Sequence, residues 1–258
     1  MSRWGRIEFV SLKMEGSKNK QQMSSDGTNC HTELRKRSPG RPEGRTANRE
    51  EILDAAEKIF AERGYAASRV CDISHAANIT QRMVNYYFGT KLALFKEVYL
   101  RRGRQLAIER MELLNRLMSE TPFNVEDVVR AYLIPPFRLR VTAGGRSFLR
   151  LQARLHTEPD ELAFELRRET YDRPVRQYVK VLRDLMPGLT EEAIYLRFTQ
   201  LIGIYLYVLS DAHRIEEISG GKCSMPPSEQ MIEEIVAFAS AGFHRWLYSP
   251  ESPVRQAR

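Results

Sequence analysis

Residues 72–91 read DISHAANITQRMVNYYFGTK, and the fold of the chain turns on them. Val70, Ile73 and Ala77 fall three and four residues apart, one apolar stripe along a short helix from about Arg69 to Ala77. Val84 and Phe88 repeat that spacing in a second helix, from Thr80 or Gln81 to about Phe88. Only Asn78-Ile79 separates the two. A turn that tight needs a residue at positive φ, and asparagine tolerates it best after glycine.

Upstream, Asn48 with Glu51 three residues later is an N-cap signal. Ile52, Ala55, Ala56, Ile59 and Phe60 then mark one helical face, and Gly64 stands where a C′ glycine belongs. Three short helices, the last two joined by a tight turn, are a helix-turn-helix layout. Downstream, a long helix is expected from Thr90 to about Met118. Asn124 with Asp127 opens the next one, which Pro135-Pro136 should end or kink. Gly144-Gly145 marks a turn. Thr157-Glu158-Pro159-Asp160 starts a helix that Pro187-Gly188 closes, with a bend at Pro174. Another helix runs from Thr190 to about Asp211, residues 216–228 form a loop, and Ser228 to Tyr248 is the last helix. No stretch alternates as a strand does, so the chain reads as all-α.

The 258 residues, 42% apolar, suffice for one large core or two small ones and exclude wholesale disorder. Three cysteines, an odd number with no CxxC, argue against a disulfide framework or a zinc site. No uncharged apolar run approaches the ~20 residues of a membrane span. The first dozen residues lack the apolar run of a signal peptide, so a cytoplasmic location is expected. The net charge of +7 is unevenly placed. Residues 1–46 carry ten Lys and Arg against five acids, whereas residues 47–91 carry six of each. Residues 1–46 read as a disordered basic arm and 250–258 as a disordered tail. Gly40-Arg41-Pro42 within the arm is similar to minor-groove AT-hook arms, while phosphate attraction or a plain tail accounts for the same residues.

The ordered positions Glu51 to Ala56, Ile59 to Tyr65, Asp72-Ile73, Ala77 to Thr80, Tyr86 to Lys91 and Leu94-Phe95 resemble the DNA-binding domain of the tetracycline-repressor (TetR) family. The resemblance implies a helix-turn-helix DNA-binding domain over 47–91 and a helical effector-binding and dimerisation domain over 92–249. Two positions depart from the family pattern. Asn78 replaces the usual turn glycine, and Asn85 replaces a tyrosine in Val84-Asn85-Tyr86-Tyr87-Phe88.

A recognition helix shows polar side chains to the bases and keeps its apolar side in the core. Thr80, Gln81, Arg82, Met83 and Asn85 supply that polar face. Gln and Asn can bond adenine bidentately, Arg can bond guanine, and Met can touch a thymine methyl. The resemblance places the hydroxyls of Tyr86 and Tyr87 on phosphates, and Lys91 beside another at a helix N-terminus. It puts Ser68 and Arg69 on the opposite backbone and Cys71 at a weak base contact. Taken singly, Tyr86 reads equally as a packed ring and Lys91 as a solvated charge; only the set in register carries the reading.

Residues 193–209 are apolar nearly all round, which suits a helix buried on both sides. The family precedent assigns residues 190–211 and 228–248 to a four-helix homodimer interface; an ordinary monomer core is the alternative. Met111, Phe123, Tyr132, Phe137, Phe148, Tyr171 and Tyr178 are the candidate lining of an effector pocket, with core packing the alternative for each. The five histidines show no ligand spacing, and no phosphate-loop or nucleophile motif occurs, so no catalytic residue, metal or cofactor is expected. The function implied is a homodimeric, sequence-specific repressor, released from a palindromic operator in double-stranded DNA by a small hydrophobic effector. An effector-independent architectural DNA-binding protein is one alternative, and a small-molecule enzyme on a helical scaffold is another.

Overall fold

The computed structural model describes residues 45–155, 160–210 and 214–245. The readings of the basic arm, of the AT-hook-like Gly40-Arg41-Pro42, of the Thr157-Glu158-Pro159 helix start and of the C-terminal tail lie outside the described residues.

Among the described residues every regular element is a helix: α1 (Arg45–Ala67), α2 (Val70–Ala76), α3 (Gln81–Phe88), α4 (Lys91–Ser119), α5 (Val125–Arg140), α6 (Gly145–Arg154), α7 (Asp160–Leu185), α8 (Glu191–Leu209), α9 (Arg214–Ile218) and α10 (Ser228–His244). The caps lie where polar side chains can accept from free N–H groups. Thr80, Thr90 and Thr190 accept from Met83, Ala93 and Ala193, and Asn124 with Asp127 forms a reciprocal capping box. No described helix is long and apolar enough to cross a membrane.

The α2–α3 turn follows its chemistry closely. Asn78 sits at φ 54. Its N–H donates to His75 O at 3.0 Å, and the Ile79 N–H reaches back to Ser74 O at 3.0 Å. These two bonds close a Schellman motif, with Asn78 at the left-handed C′ position and Ile79 packed against the core. α1 breaks at Gly64 (φ 77), where the Ser68 hydroxyl donates to the Gly64 carbonyl at 2.6 Å.

Three expectations need correction. α1 is helical from Arg45, so Asn48 lies inside it rather than at its cap. Residues 214–218 form the short α9 at the edge of the stretch expected to be loop. α5 also continues through Pro135-Pro136 to Arg140. Pro136 has no N–H for the Tyr132 carbonyl one turn back. That carbonyl accepts instead from Arg110 Nε of α4 at 3.1 Å, so a side chain replaces the missing backbone donor.

Two apolar cores result. The first joins Ile52, Phe60, Ile73 and Val84 of the helix-turn-helix and Phe95 of α4 to Phe148 and Leu151 of α6 and Leu166 of α7. The second gathers α5, α7, α8 and α10 around the C-terminal half of α4. No seam in the packing falls at residue 91, because α4 belongs to both cores. Gly103 permits a close α4–α7 approach: a Cβ there would lie 2.8 Å from Thr170 Cγ2. On the other side of α4, the buried Glu57 carboxylate of α1 accepts from Arg102 Nε at 2.6 Å and Arg101 at 3.2 Å. Arg102 also donates to Ala143 O at 3.0 Å. The following Gly144 (φ 74) leaves no room for a side chain, since its Cβ would stand 2.7 Å from Glu57 Oε1. α10 is held to α5 by a two-pronged pair between Arg130 and Glu233, both contacts at 2.8 Å.

Asn78→Ala should cost about 1 kcal/mol in chemical denaturation, because alanine lacks the short polar side chain that lets asparagine tolerate positive φ, while Asn78→Gly stays near wild type. Equal losses in the two variants would show that backbone conformation is not what Asn78 supplies. Glu57→Ala leaves two arginines facing each other and should cost about 3 kcal/mol, the lower end for a broken buried pair because both arginines keep some solvent contact. A loss below ~0.5 kcal/mol, the size of an ordinary surface change, would remove the junction from the account of stability.

Candidate functional site

The reading face is built on α3. Its inward residues, Val84 and Phe88, are buried, and this turns Gln81, Arg82, Asn85 and Tyr86 to solvent. Tyr86 is 63% exposed, so the packed-ring alternative fails for it. Its ring meets that of Tyr87 edge-on with centroids 5.4 Å apart, and Tyr87 is half-buried beneath it. Thr80 is exposed, with its oxygen accepting from Met83 N at 3.4 Å. Met83 is half-buried. Arg69, at the N-cap of α2, is exposed. Lys91 opens α4; its ammonium donates to Ala66 O at 3.4 Å and lies 4.5 Å from the Tyr65 ring centroid. That contact fixes Lys91 between the end of α1 and the start of α4.

Two expected contacts look different in the structure. Ser68 is 2% exposed and its hydroxyl is turned inward onto Gly64 O, so its side chain caps α1 and is not free to meet a phosphate. Cys71 is half-buried with Sγ 3.8 Å from Asp72 Oδ1, which leaves its sulfur at the margin of the face.

Counted by sequence the helix-turn-helix is neutral, but its charges are sorted in space. Glu50, Asp54 and Glu57 all face Arg101 on α4, and Glu57 also meets Arg102. Burial works against the Arg101 charge, and hydrogen bonds with Asp54, Glu50 and Glu57 more than offset it, raising its pKa. Asp72 takes Arg63 at 2.6 Å, and Arg49 pairs with Glu97. Three of the module's six acids are thus matched by body arginines, and Arg69, Arg82 and Lys91 remain beside the recognition helix.

A cavity of about 720 Å³ lies between α4, α5, α7 and α8, with Gln152 of α6 at its edge. Tyr99, Tyr132, Tyr171 and Tyr205 form much of its wall, with Val175, Ile202 and Leu206. Burial pushes the phenols of Tyr99, Tyr132 and Tyr171 well above their ordinary range, so they are neutral hydrogen-bonding groups. Of the expected lining only Tyr132 and Tyr171 face this space. Phe137 is packed in the second core, and Phe148 in the first, 5.5 Å from Tyr99. Tyr178 donates to Arg110 O at 2.8 Å within the second core, Phe123 packs on the outside of that core, and Met111 is half-buried away from the cavity. Periodicity marks an aromatic residue as inward-facing but does not distinguish packing from lining. Tyr99, Gln152, Tyr205 and the buried Arg110 escaped the sequence reading; a cationic residue at an inward position of α4 was the available signal for the last.

Among the described residues no group of three or more His, Cys, Asp or Glu side chains could hold a metal ion. A second hollow of about 620 Å³ opens between α8 and α10, floored by Gly203 and Gly242 and edged by Tyr207 and Phe238. Nothing lies within 4 Å of a Cβ placed at either glycine, and Phe238 is 72% exposed. Arg197 at the edge of that hollow donates to Phe243 O at 2.6 Å and to Arg245 O, closing the C-terminal end of α10 with a cation.

Residues 52–98 match the family model described as bacterial regulatory proteins, tetR family, and residues 130–242 match the tetracyclin repressor-like C-terminal domain. Among curated relatives, the HTH-type transcriptional repressor NicS of Pseudomonas putida is 44% identical over 50 residues, 19% of this chain and 24% of that one. The HTH-type transcriptional repressor KstR2 of Rhodococcus jostii is 38% identical over 55 residues, 21% of this chain and 27% of that one. The match therefore spans about a quarter of each of these relatives. A TetR-like transcriptional regulator from Rhodococcus sp. RHA1 superposes with a TM-score of 0.56 at 18% identity, over 78% of this chain and 100% of that one. HlyIIR, a hemolysin II transcriptional regulator, gives 0.55 at 20% identity over 76% and 98%. At such identities the likeness establishes the fold. With one family model on the helix-turn-helix and a second on the helical body, the chain belongs to the tetR family of bacterial regulatory proteins.

Proposed function

We propose that the chain is a homodimeric, sequence-specific transcriptional repressor that acts in the cytoplasm and leaves its operator when a small molecule occupies the α4–α5–α7–α8 cavity. The observation that carries the reading is the division of α3, with Val84 and Phe88 buried and Gln81, Arg82, Asn85 and Tyr86 presented together to solvent. A short helix of this kind reads only a few base pairs, so two copies on a palindrome supply the missing specificity. The hollow on α8 and α10 supports the second copy. Its exposed Phe238 and Tyr207 and its open glycine floor form an apolar, concave face of the sort that a partner helix fills.

Release follows from population shift: a ligand that binds better when the two recognition helices are not spaced ~34–36 Å apart weakens the grip on successive major grooves. The cavity supports this reading over an architectural protein without effector, since about 720 Å³ is within the range of small-molecule sites.

Selection of bound sequences from a random DNA pool should return a palindrome, and a non-palindromic or featureless pool would overturn the operator reading. Arg82→Ala should cost about 1–3 kcal/mol on the selected site and relax preference at one base pair. Lys91→Ala should weaken all DNA alike and reduce the salt slope by about one. Equal losses on selected and random DNA in Arg82→Ala would show that Arg82 contacts only backbone. Phe238→Glu should convert the dimer to monomer in sedimentation equilibrium, since each buried ring contributes about 1.5–3 kcal/mol that a charge reverses. An unchanged dimer would move the interface elsewhere.

A further inference from the structure

We propose that the α4–α5–α7–α8 cavity takes a small organic acid, with its carboxylate toward the phenol hydroxyls of its wall, the Arg110 cation one ring behind them as counter-charge, and its apolar body against the rings. The inference rests on the proposed role of this cavity as the effector site and names the chemistry of what enters it.

Arg110 is fully buried and leads the fully buried side chains in size. Its guanidinium carbon lies 3.8 Å from the ring centroid of Tyr132, 5.2 Å from Tyr205 and 5.8 Å from Tyr171. The same three rings line the cavity, so the cation stands one ring's thickness behind its wall. No carboxylate pairs with it among the described residues, and its Nη2 has no hydrogen-bond partner. The structural duty of Arg110 does not account for this. The Tyr132 carbonyl needs a single donor, which a neutral amide could supply, whereas a guanidinium brings five N–H groups and a permanent charge.

The surroundings do not neutralise that charge. Burial opposes it, the tyrosine oxygens outweigh burial, and the Arg110 pKa is raised, so the group stays a cation. Burial holds the phenols of Tyr132 and Tyr171 neutral. Ring faces attract a cation but do not replace an anion, and a buried cation without a counter-charge is destabilising. Gln152 belongs to the same wall: it is buried, and its Nε2 donates to the Tyr205 hydroxyl at 3.4 Å. Of the carboxylates at the cavity mouth, Glu165 meets Lys96 at 2.6 Å and Asp172 meets Arg176 at 3.0 Å, while Glu161 stands exposed at the edge. An anion with an apolar body balances the Arg110 charge and covers the aromatic wall together, whereas an inorganic anion leaves most of the wall unused.

The test uses the full chain and two pairs of probes, decanoate with decanamide and 4-phenylbutyrate with 4-phenylbutyramide, with inorganic phosphate as a third arm. Isothermal titration of the wild-type protein should show at least one acid binding about ten-fold or more tightly than its amide, with phosphate weaker than either acid. Arg110→Met should erase the preference, and Arg110→Lys should keep part of it. Acid and amide binding alike, neither binding, or phosphate matching the acids would each overturn the proposal, and the wild-type comparison stands even where a variant does not fold. Acid binding without release of the selected DNA would leave the acid site intact and overturn the effector reading instead.

Discussion

Glu57 sets a constraint on which much of the molecule depends, because a carboxylate sealed between helices has to be met by donors. α4 meets it with two consecutive arginines, Arg101 and Arg102. Arg102 then reaches the α5–α6 turn through Ala143 O, and Gly144 keeps that turn close enough to be reached. A single carboxylate thereby fixes the first helix of the reading head against both the long helix and the start of α6. The same arginines gather three of the six acids of the helix-turn-helix on the side facing the body. A module that is neutral by count is therefore polar in space, and that separation matters more to a DNA phosphate than net charge does.

A similar economy governs the interior of the body. Two consecutive prolines in α5 remove backbone donors, yet the helix continues, because a neighbouring side chain takes the donor's place at Tyr132 O. Bringing an arginine to that point imports a charge into an aromatic interior. The structural repair and the unbalanced cation are two faces of one arrangement, and a cavity beside such a group is chemically selective before any ligand arrives.

Much of this was legible in the sequence, for identifiable reasons. Caps at Thr90, Asn124 and Thr190, the left-handed turn at Asn78 and the inward faces of α1 to α3 follow from local chemistry, which a linear reading captures. The failures are nonlocal. Pro135-Pro136 reads as a helix end or a kink, and that the helix continues is seen only once Arg110 is known to lie opposite. Ser68 reads as a surface hydroxyl until the break at Gly64 is seen to draw it inward. Most of the expected lining lies in the cores, because an inward aromatic reads the same whether it packs or lines: Tyr171 and Tyr178 are seven residues apart on one face of α7, yet only Tyr171 reaches the cavity. What separates the two is whether a neighbouring helix fills the space they face.

α4 also has a mechanical property. It runs unbroken for 29 residues, about 44 Å at 1.5 Å per residue, and it begins beside the recognition helix while Arg110 lies roughly 28 Å further along. A stiff rod of that length acts as a lever. Pivoting it by about ten degrees around the Arg110 level carries its Lys91 end through roughly 5 Å, a large part of a major groove ~12 Å wide. The rings of Tyr132, Tyr171 and Tyr205 surround the pivot, where displacements are smallest, and the reading head lies at the far end of the arm.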